Sequence, residues 1–238
     1  MRLVDSDQLS ENGFTILTDV MSCSECVGLV DEVRRAFEDR PDDAIAAGKG
    51  GVVGGRNLID QWPGWRAITE KVVIRNFVHE HVGRSAGLVR ILFFDKPPGR
   101  GWALSMHRDR TIAVAQHHDP PAPFAKPTVK AGVPHVEASE DLLRSMLTLR
   151  LHLDPMHDDN GPLVVIPGSH HVSAQSQQTN IRTIHCDAGD VFVMRPLLSH
   201  GSLAAKADTT DHRRVLHLEI APEEELPGNY RWYRFEVI

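Results

Sequence analysis

The feature that most constrains this chain is a series of short β-rich runs in its second half: LVRILFFDK, TIAVAQ, MLTLRLHLD, PLVVIPG, DVFVMR and RRVLHLEI. Turn formers separate them, and no long amphipathic helices alternate with them to cross over a parallel sheet, so the pattern predicts a sandwich or barrel. Two of the runs alternate strictly. In MLTLRLHLD, Leu147, Leu149, Leu151 and Leu153 share one face, and Thr148, Arg150, His152 and Asp154 the other. RRVLHLEI likewise sets Arg214, Leu216, Leu218 and Ile220 against Arg213, Val215, His217 and Glu219. An ordinary half-buried strand turns its polar side to water. In a two-sheet barrel with helices outside, the leucines meet the helices and the polar side lines a cavity.

The first part of the chain supplies such helices. CSECVGLVDEVRRAFEDR carries Val27, Val30, Val33 and Phe37 at helical spacing, with Pro41 to end it, and WRAITEKVVIRNFVHEHVG reads as a second helix. GFTILTDV reads as a short strand, and GKGGVVGG, residues 48–55, as a mobile loop without side chains to pack. The expected architecture is therefore mainly β with flanking helices. It is a single domain, 1–238, with a mainly helical part over 1–85 and a jelly-roll core over 86–238.

Charge narrows the partners. Lys and Arg number 26 against 32 Asp and Glu, for a net charge of −6 with no basic block, which argues against a nucleic-acid binder. No apolar run reaches spanning length, and MRLVDSDQLSENG carries acids where a signal peptide needs an apolar core, so a soluble, cytoplasmic protein is expected. Three cysteines make no complete disulfide framework. Cys23 and Cys26 form a CxxC, but Ser22 and Glu25 fit a capping box with Met21 and Cys26 as its staple, which favours helix packing over redox or zinc chemistry.

HRDRTIAVAQHHD, residues 107–119, holds the candidate chemistry. On a strand His107 and Asp109 project from one face, offering an imidazole and a carboxylate, two of the three ligands of a facial triad that suits iron(II). His200, in LLSHGS after the strand VFVM, is the best third ligand; His157, His170, His171, His185 and His217 are others, and His152 with Asp154 is a second HxD. A single HxD is a weak signal.

The ordered set is specific. HRD at 107–109, NGPLVVIPGSHH at 160–171, DAGDVFVMRPLLSHGS at 187–202 and RRVLHLEIA at 213–221 together resemble the phytanoyl-CoA dioxygenase family of Fe(II)- and 2-oxoglutarate-dependent oxygenases. The resemblance implies a double-stranded β-helix (jelly roll, cupin-like), with Fe(II) and 2-oxoglutarate as cofactors and dioxygen and a small molecule as substrates. It implies that His107, Asp109 and His200 are the catalytic metal ligands and that an arginine after the distal histidine holds the far carboxylate of 2-oxoglutarate. Of Arg213 and Arg214, strand alternation puts Arg213 on the polar face. A guanidinium fork suits a carboxylate as lysine does not. Ser202 is placed to add a hydrogen bond, Arg150 lies near the cosubstrate, His152 is a candidate to orient a ligand, and Lys96 and Trp102 are candidate pocket residues. Halogenases of related design replace the carboxylate with a small residue; retention of Asp109 favours hydroxylation of an unactivated carbon. The alternatives are a catalytically silent metal-binding β-barrel and another cupin-type metalloenzyme. The segment QHHDPPAPFAKPTVKAGVPHVEASEDLL is expected to be a loop or lid beside the metal. Residues 48–64 are expected to form a mobile wall, with Arg56 a contact for an anion. Oligomeric state and substrate identity are not written in the chain.

Overall fold

Alternating leucine strands divide the molecule into an apolar outside, covered by helices, and an inside that joins a polar cavity wall to a smaller apolar core. The computed structural model describes residues 6–39, 44–46, 52–99, 101–171 and 180–238. All strand pairs are antiparallel. The larger sheet runs β1 (Phe14–Leu17), β12 (Val191–Met194), β9 (Leu147–His152), β14 (Arg213–Ala221), β4 (Gly87–Lys96), β3 (Val52–Gly55) and β2 (Ala44–Ala46), with β15 (Glu236–Val237) also on β4. The second sheet runs β11 (Arg182–Ile184), β10 (Leu163–Val165), β13 (His200–Ser202) and β5 (Leu104–His107). A third holds β6 (Thr111–Ala113), β8 (Val133–Glu137) and β7 (Ala125–Lys130). The two larger sheets make the double-stranded β-helix; Phe14, Phe192 and Met194 of one pack with Leu163, Val165 and Ile184 of the other.

On the outer face, Leu147, Leu149, Leu151, Leu216, Leu218 and Ile220 are buried in one cluster with helices α2 (Cys23–Asp39), α3 (Leu58–Gln61), α4 (Arg66–Thr69) and α5 (Val72–His81). Each such side chain taken fully from water stabilises the fold by about 1.5–3 kcal/mol. The short helices α1 (Ser6–Asn12) and α6 (Glu140–Ser145) complete the set.

The stripe of α2 is Cys26, Leu29, Val30, Val33, Ala36 and Phe37, at helical spacing. Val27 is not part of it: it is 63% exposed, one position round the helix. The helix starts as its capping box predicts. Ser22 N–H donates to Glu25 Oε2 at 2.7 Å, and Glu25 N–H donates to Ser22 Oγ at 3.3 Å. Met21 and Cys26 are both buried beside it, while Cys23 is exposed. Pro41 lies outside the described residues.

Three expectations are corrected. The second helix is broken. After a 3-10 turn at Pro63–Trp65, α4 and α5 are separate, because Lys71 takes an extended ψ of 124° and its Nζ pairs with Glu25 Oε1 at 2.6 Å. The glycine-rich stretch is no loop where it is described. Val52–Gly55 is a strand on β4, and a Cβ at Gly55 would strike the Phe37 ring, so the glycine lets α2 approach the sheet; residues 48–51 lie outside the description. The expected lid is a hairpin, β7 and β8, followed by α6. Ala131 (φ 47°) and Gly132 (φ 75°) form its two-residue turn. No helix among the described residues is long and apolar enough to cross a membrane.

Candidate metal and cosubstrate site

The first candidate donors meet because β5 and β13 are neighbours with His107 and His200 directly paired. Asp109 is not on the strand with His107, as the spacing suggested. β5 ends at His107; Asp109 N–H donates to Pro196 O at 2.9 Å and Arg108 Nη2 to Ser169 O at 2.8 Å, which takes the chain out of the ladder. The carboxylate still reaches both rings. Asp109 Oδ1 lies 3.8 Å from His107 Nε2, and Oδ2 lies 3.7 Å from His200 Nε2. The three side chains offer ligand atoms all within 4.8 Å of one another, the one such group found among the described residues.

Each imidazole is oriented by its other nitrogen. His107 Nδ1–H donates to Ser105 O at 2.8 Å and His200 Nδ1–H to Leu198 O at 2.9 Å, so both Nε2 atoms are turned to Asp109. Asp109 Oδ2 is buried with no hydrogen-bond partner. Burial alone would raise the Asp109 carboxyl, but His200, His217, His107 and Arg150 outweigh it and hold the group below the usual carboxylate range. Burial lowers His200, against the pull of Asp109. Two imidazoles and one carboxylate with an unpaired oxygen are the donor chemistry that a divalent iron fits.

The polar faces of β9, β14 and β4 form the facing wall of a cavity of about 540 Å³ that also contains the three donors. Arg213, Arg150, Lys96, Ser202 and Trp102 all line it. Arg213 is 4% exposed, its Nε has no partner, and its one hydrogen-bond contact among the described residues is Met156 Sδ at 3.9 Å. Burial, reinforced by Arg150, pushes its guanidinium down to about 9. Arg214 points the other way and forms a two-pronged pair with Asp154, Nε to Oδ2 at 2.7 Å and Nη2 to Oδ1 at 2.6 Å.

Lys96 is 2% exposed and donates to Leu203 O at 2.7 Å and Ser202 Oγ at 2.9 Å. Burial, then Arg213 and Arg150, bring it down to about 7. Gly161, at φ 75° in the NGPL turn, keeps this corner open: a Cβ there would sit 2.6 Å from Leu203 O and 3.1 Å from Lys96 Nζ. Arg150 faces the cavity, not solvent; its Nη1 donates to His217 Nδ1 at 3.2 Å. His217 is pushed to about 3 by burial and Arg150, so its ring is neutral.

The remaining histidines do not join the centre. His152 is fully buried and neither nitrogen has a partner, so it orients no ligand; backbone carbonyls do that work instead. His157 pairs with Asp211 and His185 with Asp158, while the His170 and His171 rings both reach Ser10 O. Sequence reasoning passed over Arg90, Thr111 and Lys130, which also line the cavity. Arg90 had a legible signal, since it is the one charge in the middle of LVRILFFDK.

A double-stranded β-helix whose mouth brings together two imidazoles and a carboxylate is the frame of a non-haem iron, 2-oxoglutarate-dependent oxygenase. The sequence matches phytanoyl-CoA dioxygenase (PhyH) over residues 9–215, and the chain belongs to that family. Similar solved structures support the same fold. The non-haem α-ketoglutarate-dependent carbocyclase SnoK from nogalamycin biosynthesis has a TM-score of 0.68 at 15% identity, covering 94% of this chain and 85% of its own. EctD from S. alaskensis, with 2-oxoglutarate and 5-hydroxyectoine, has a TM-score of 0.68 at 17% identity, covering 90% and 74%. HygX from Streptomyces hygroscopicus, with nickel and 2-oxoglutarate bound, has a TM-score of 0.63 at 14% identity, covering 92% and 88%. No curated protein matches the sequence.

Proposed function

We propose that this chain hydroxylates an unactivated carbon of a small molecule, with His107, Asp109 and His200 holding iron(II) and Arg213 holding the far carboxylate of 2-oxoglutarate. The observation that carries the reading is the pairing, in one cavity, of a converging His–Asp–His donor set with a buried guanidinium that has no carboxylate of its own. When bound, the iron and 2-oxoglutarate would supply the activation of dioxygen, one oxygen atom entering succinate as carbon dioxide is lost and the other entering a C–H bond of the substrate.

The chain's own residues prepare the site. The Ser105 and Leu198 carbonyls hold Nδ1 of the two imidazoles, which turns Nε2 of each ring to the metal position. Asp109, held below the usual carboxylate range, arrives ionised at neutral pH. Arg213 offers a planar fork for two parallel hydrogen bonds to a carboxylate. Ser202 accepts from Lys96, which leaves the serine proton to be donated into the cavity beside that fork. Arg150 is held by His217 and adds positive charge near the cosubstrate. Asp109 also occupies the place a halide would need, which favours hydroxylation over halogenation.

Succinate formation tests the proposal. The wild type, supplied with iron(II), 2-oxoglutarate and oxygen, should release succinate in an iron-dependent way, and His200→Ala should not. Tight binding of metal and 2-oxoglutarate with no succinate from any of a broad substrate panel would instead mark a silent binding barrel.

A further inference from the structure

The cavity continues past the His–Asp–His centre to an end that Arg213 does not reach. On the inward face of β14, Arg213 and Glu219 are six residues apart, about 20 Å along the strand. Glu219 is paired across to Arg90 of β4 and to Thr148 of β9. Arg90 Nη1 donates to Glu219 Oε1 at 3.1 Å, and both side chains are buried. The Nε of Arg90 is also buried and has no hydrogen-bond partner. Lys130, at the tip of the β7–β8 hairpin, reaches into the same end and donates to Thr111 Oγ1 at 2.8 Å.

The charges there do not balance. Burial lowers Lys130, and Arg90 and Arg56 lower it further, with Glu219 and Asp109 opposing; Arg56 is lowered by burial and then by Arg90. Among the described residues lining this end, Arg90 and Lys130, with Arg56 close enough to be felt, stand around one carboxylate, Glu219, while Asp109 belongs to the proposed metal centre. Along β4 the wall that runs from this end past the centre is apolar, with Leu92 and Phe94 and, from the neighbouring strand, Val53; Leu104, paired with Ser202, and Trp102, beside Lys96, are half-exposed at the Arg213 end. An ammonium head would meet an excess of like charge. An oxyanion would find Arg90 Nε–H and the Lys130 N–H groups that Thr111 does not take.

We propose that the substrate is a small organic anion, a carboxylate or phosphate ester on an apolar skeleton, whose anionic group docks between Lys130 and Arg90. The anion anchors the molecule at the end opposite the cosubstrate carboxylate and leaves its hydrocarbon body across the metal centre. This assignment of the substrate class rests on the oxygenase reading above.

The test uses hexanoate, hexanamide and hexyl phosphate as probes, titrated calorimetrically into protein already loaded with Ni(II) and 2-oxoglutarate, so that the Arg213 end is filled. Hexanoate should bind about tenfold tighter than hexanamide, the worth of a charge-assisted hydrogen bond. Lys130→Met should erase that preference and Glu219→Gln, which removes the one local negative charge without changing volume, should widen it. Neither variant should alter the affinity for 2-oxoglutarate. Hexyl phosphate binding tighter than hexanoate assigns a phosphate ester. Equal affinity for hexanoate and hexanamide, no binding of either probe at millimolar concentration, or a preference that survives Lys130→Met would overturn the proposal. The same titration on Arg213→Met protein, without metal or 2-oxoglutarate, reads the anion end independently. Failure of 2-oxoglutarate to bind the wild type would therefore count against the oxygenase reading alone.

Discussion

Replacing Arg213 by methionine separates what the guanidinium does for the ligand from what it does to the fold. The side chain is 4% exposed and has a sulfur at 3.9 Å as its one hydrogen-bond contact. Burial and Arg150 hold it at about 9, so the folded, ligand-free protein resists its charge. A methionine next to Met156 removes a buried charge; even buried ion pairs replaced by apolar groups of similar volume give a neutral or stabilising change of about 1–4 kcal/mol. In a chain of this size each kcal/mol moves the melting temperature by about 2–4 °C. Arg213→Met should therefore melt at or above the wild type. Its 2-oxoglutarate affinity should move the opposite way. Two charge-assisted hydrogen bonds at about 1.5–3 kcal/mol each are lost, and Ser202 retains part of the grip, so a net loss of about 3 kcal/mol, roughly 150-fold in Kd, is expected. Calorimetry with Ni(II) present and thermal melting of the ligand-free protein read the two halves. A variant that binds 2-oxoglutarate like the wild type, or one that melts well below it while binding poorly, would refute the reasoning.

Other outcomes follow from the same geometry. Arg214→Ala breaks the two-pronged pair with half-buried Asp154 and should lower stability by about 1–3 kcal/mol in denaturant melts while leaving 2-oxoglutarate affinity unchanged, the mirror image of Arg213→Met. Lys96, lowered to about 7, is charged in the folded protein below that pH and neutral above it; 2-oxoglutarate affinity should fall as pH rises through 7, and Lys96→Met should flatten the profile. Because the unfolded lysine keeps its proton to a higher pH, ligand-free stability should rise from about pH 7 towards the ordinary lysine value, as urea midpoints across that range would show. Ser22→Ala removes the cap of α2 and should cost about 1 kcal/mol of stability without touching metal affinity.

The strands of the core were legible because period-two alternation in β9 and β14 sorts their side chains into two faces. Alternation alone left open whether the polar face met water or lined a cavity, and the ordered motifs tilted it inward; the leucines pack on helices, and Arg150, Arg213 and His217 line the cavity. The proposed metal donors were legible from HxD plus a distant histidine only in combination with the ordered motifs; spacing alone left His217 and others open. What escaped was written in signals that compete. The prolines after His118 made that segment read as a loop, and the Ala131-Gly132 turn between β7 and β8 went unread, although Pro127 sits on the edge strand of its sheet, where a missing N–H is tolerated. Missing that hairpin also hid Lys130. The glycines of β3 read as flexibility because a sequence does not show that Phe37 will lie where their side chains would be. The apolar stripe of α2 was off by one position at Val27, since Cys26 was credited only to the cap.

Anaerobic addition of iron(II) and 2-oxoglutarate, followed by visible absorption, tests the central claim most directly. A charge-transfer band should appear with the wild type, vanish with Asp109→Ala and weaken with Arg213→Met. No band with the wild type, or the same band in all three proteins, would contradict the assignment of the metal to His107, Asp109 and His200 and of the cosubstrate to Arg213.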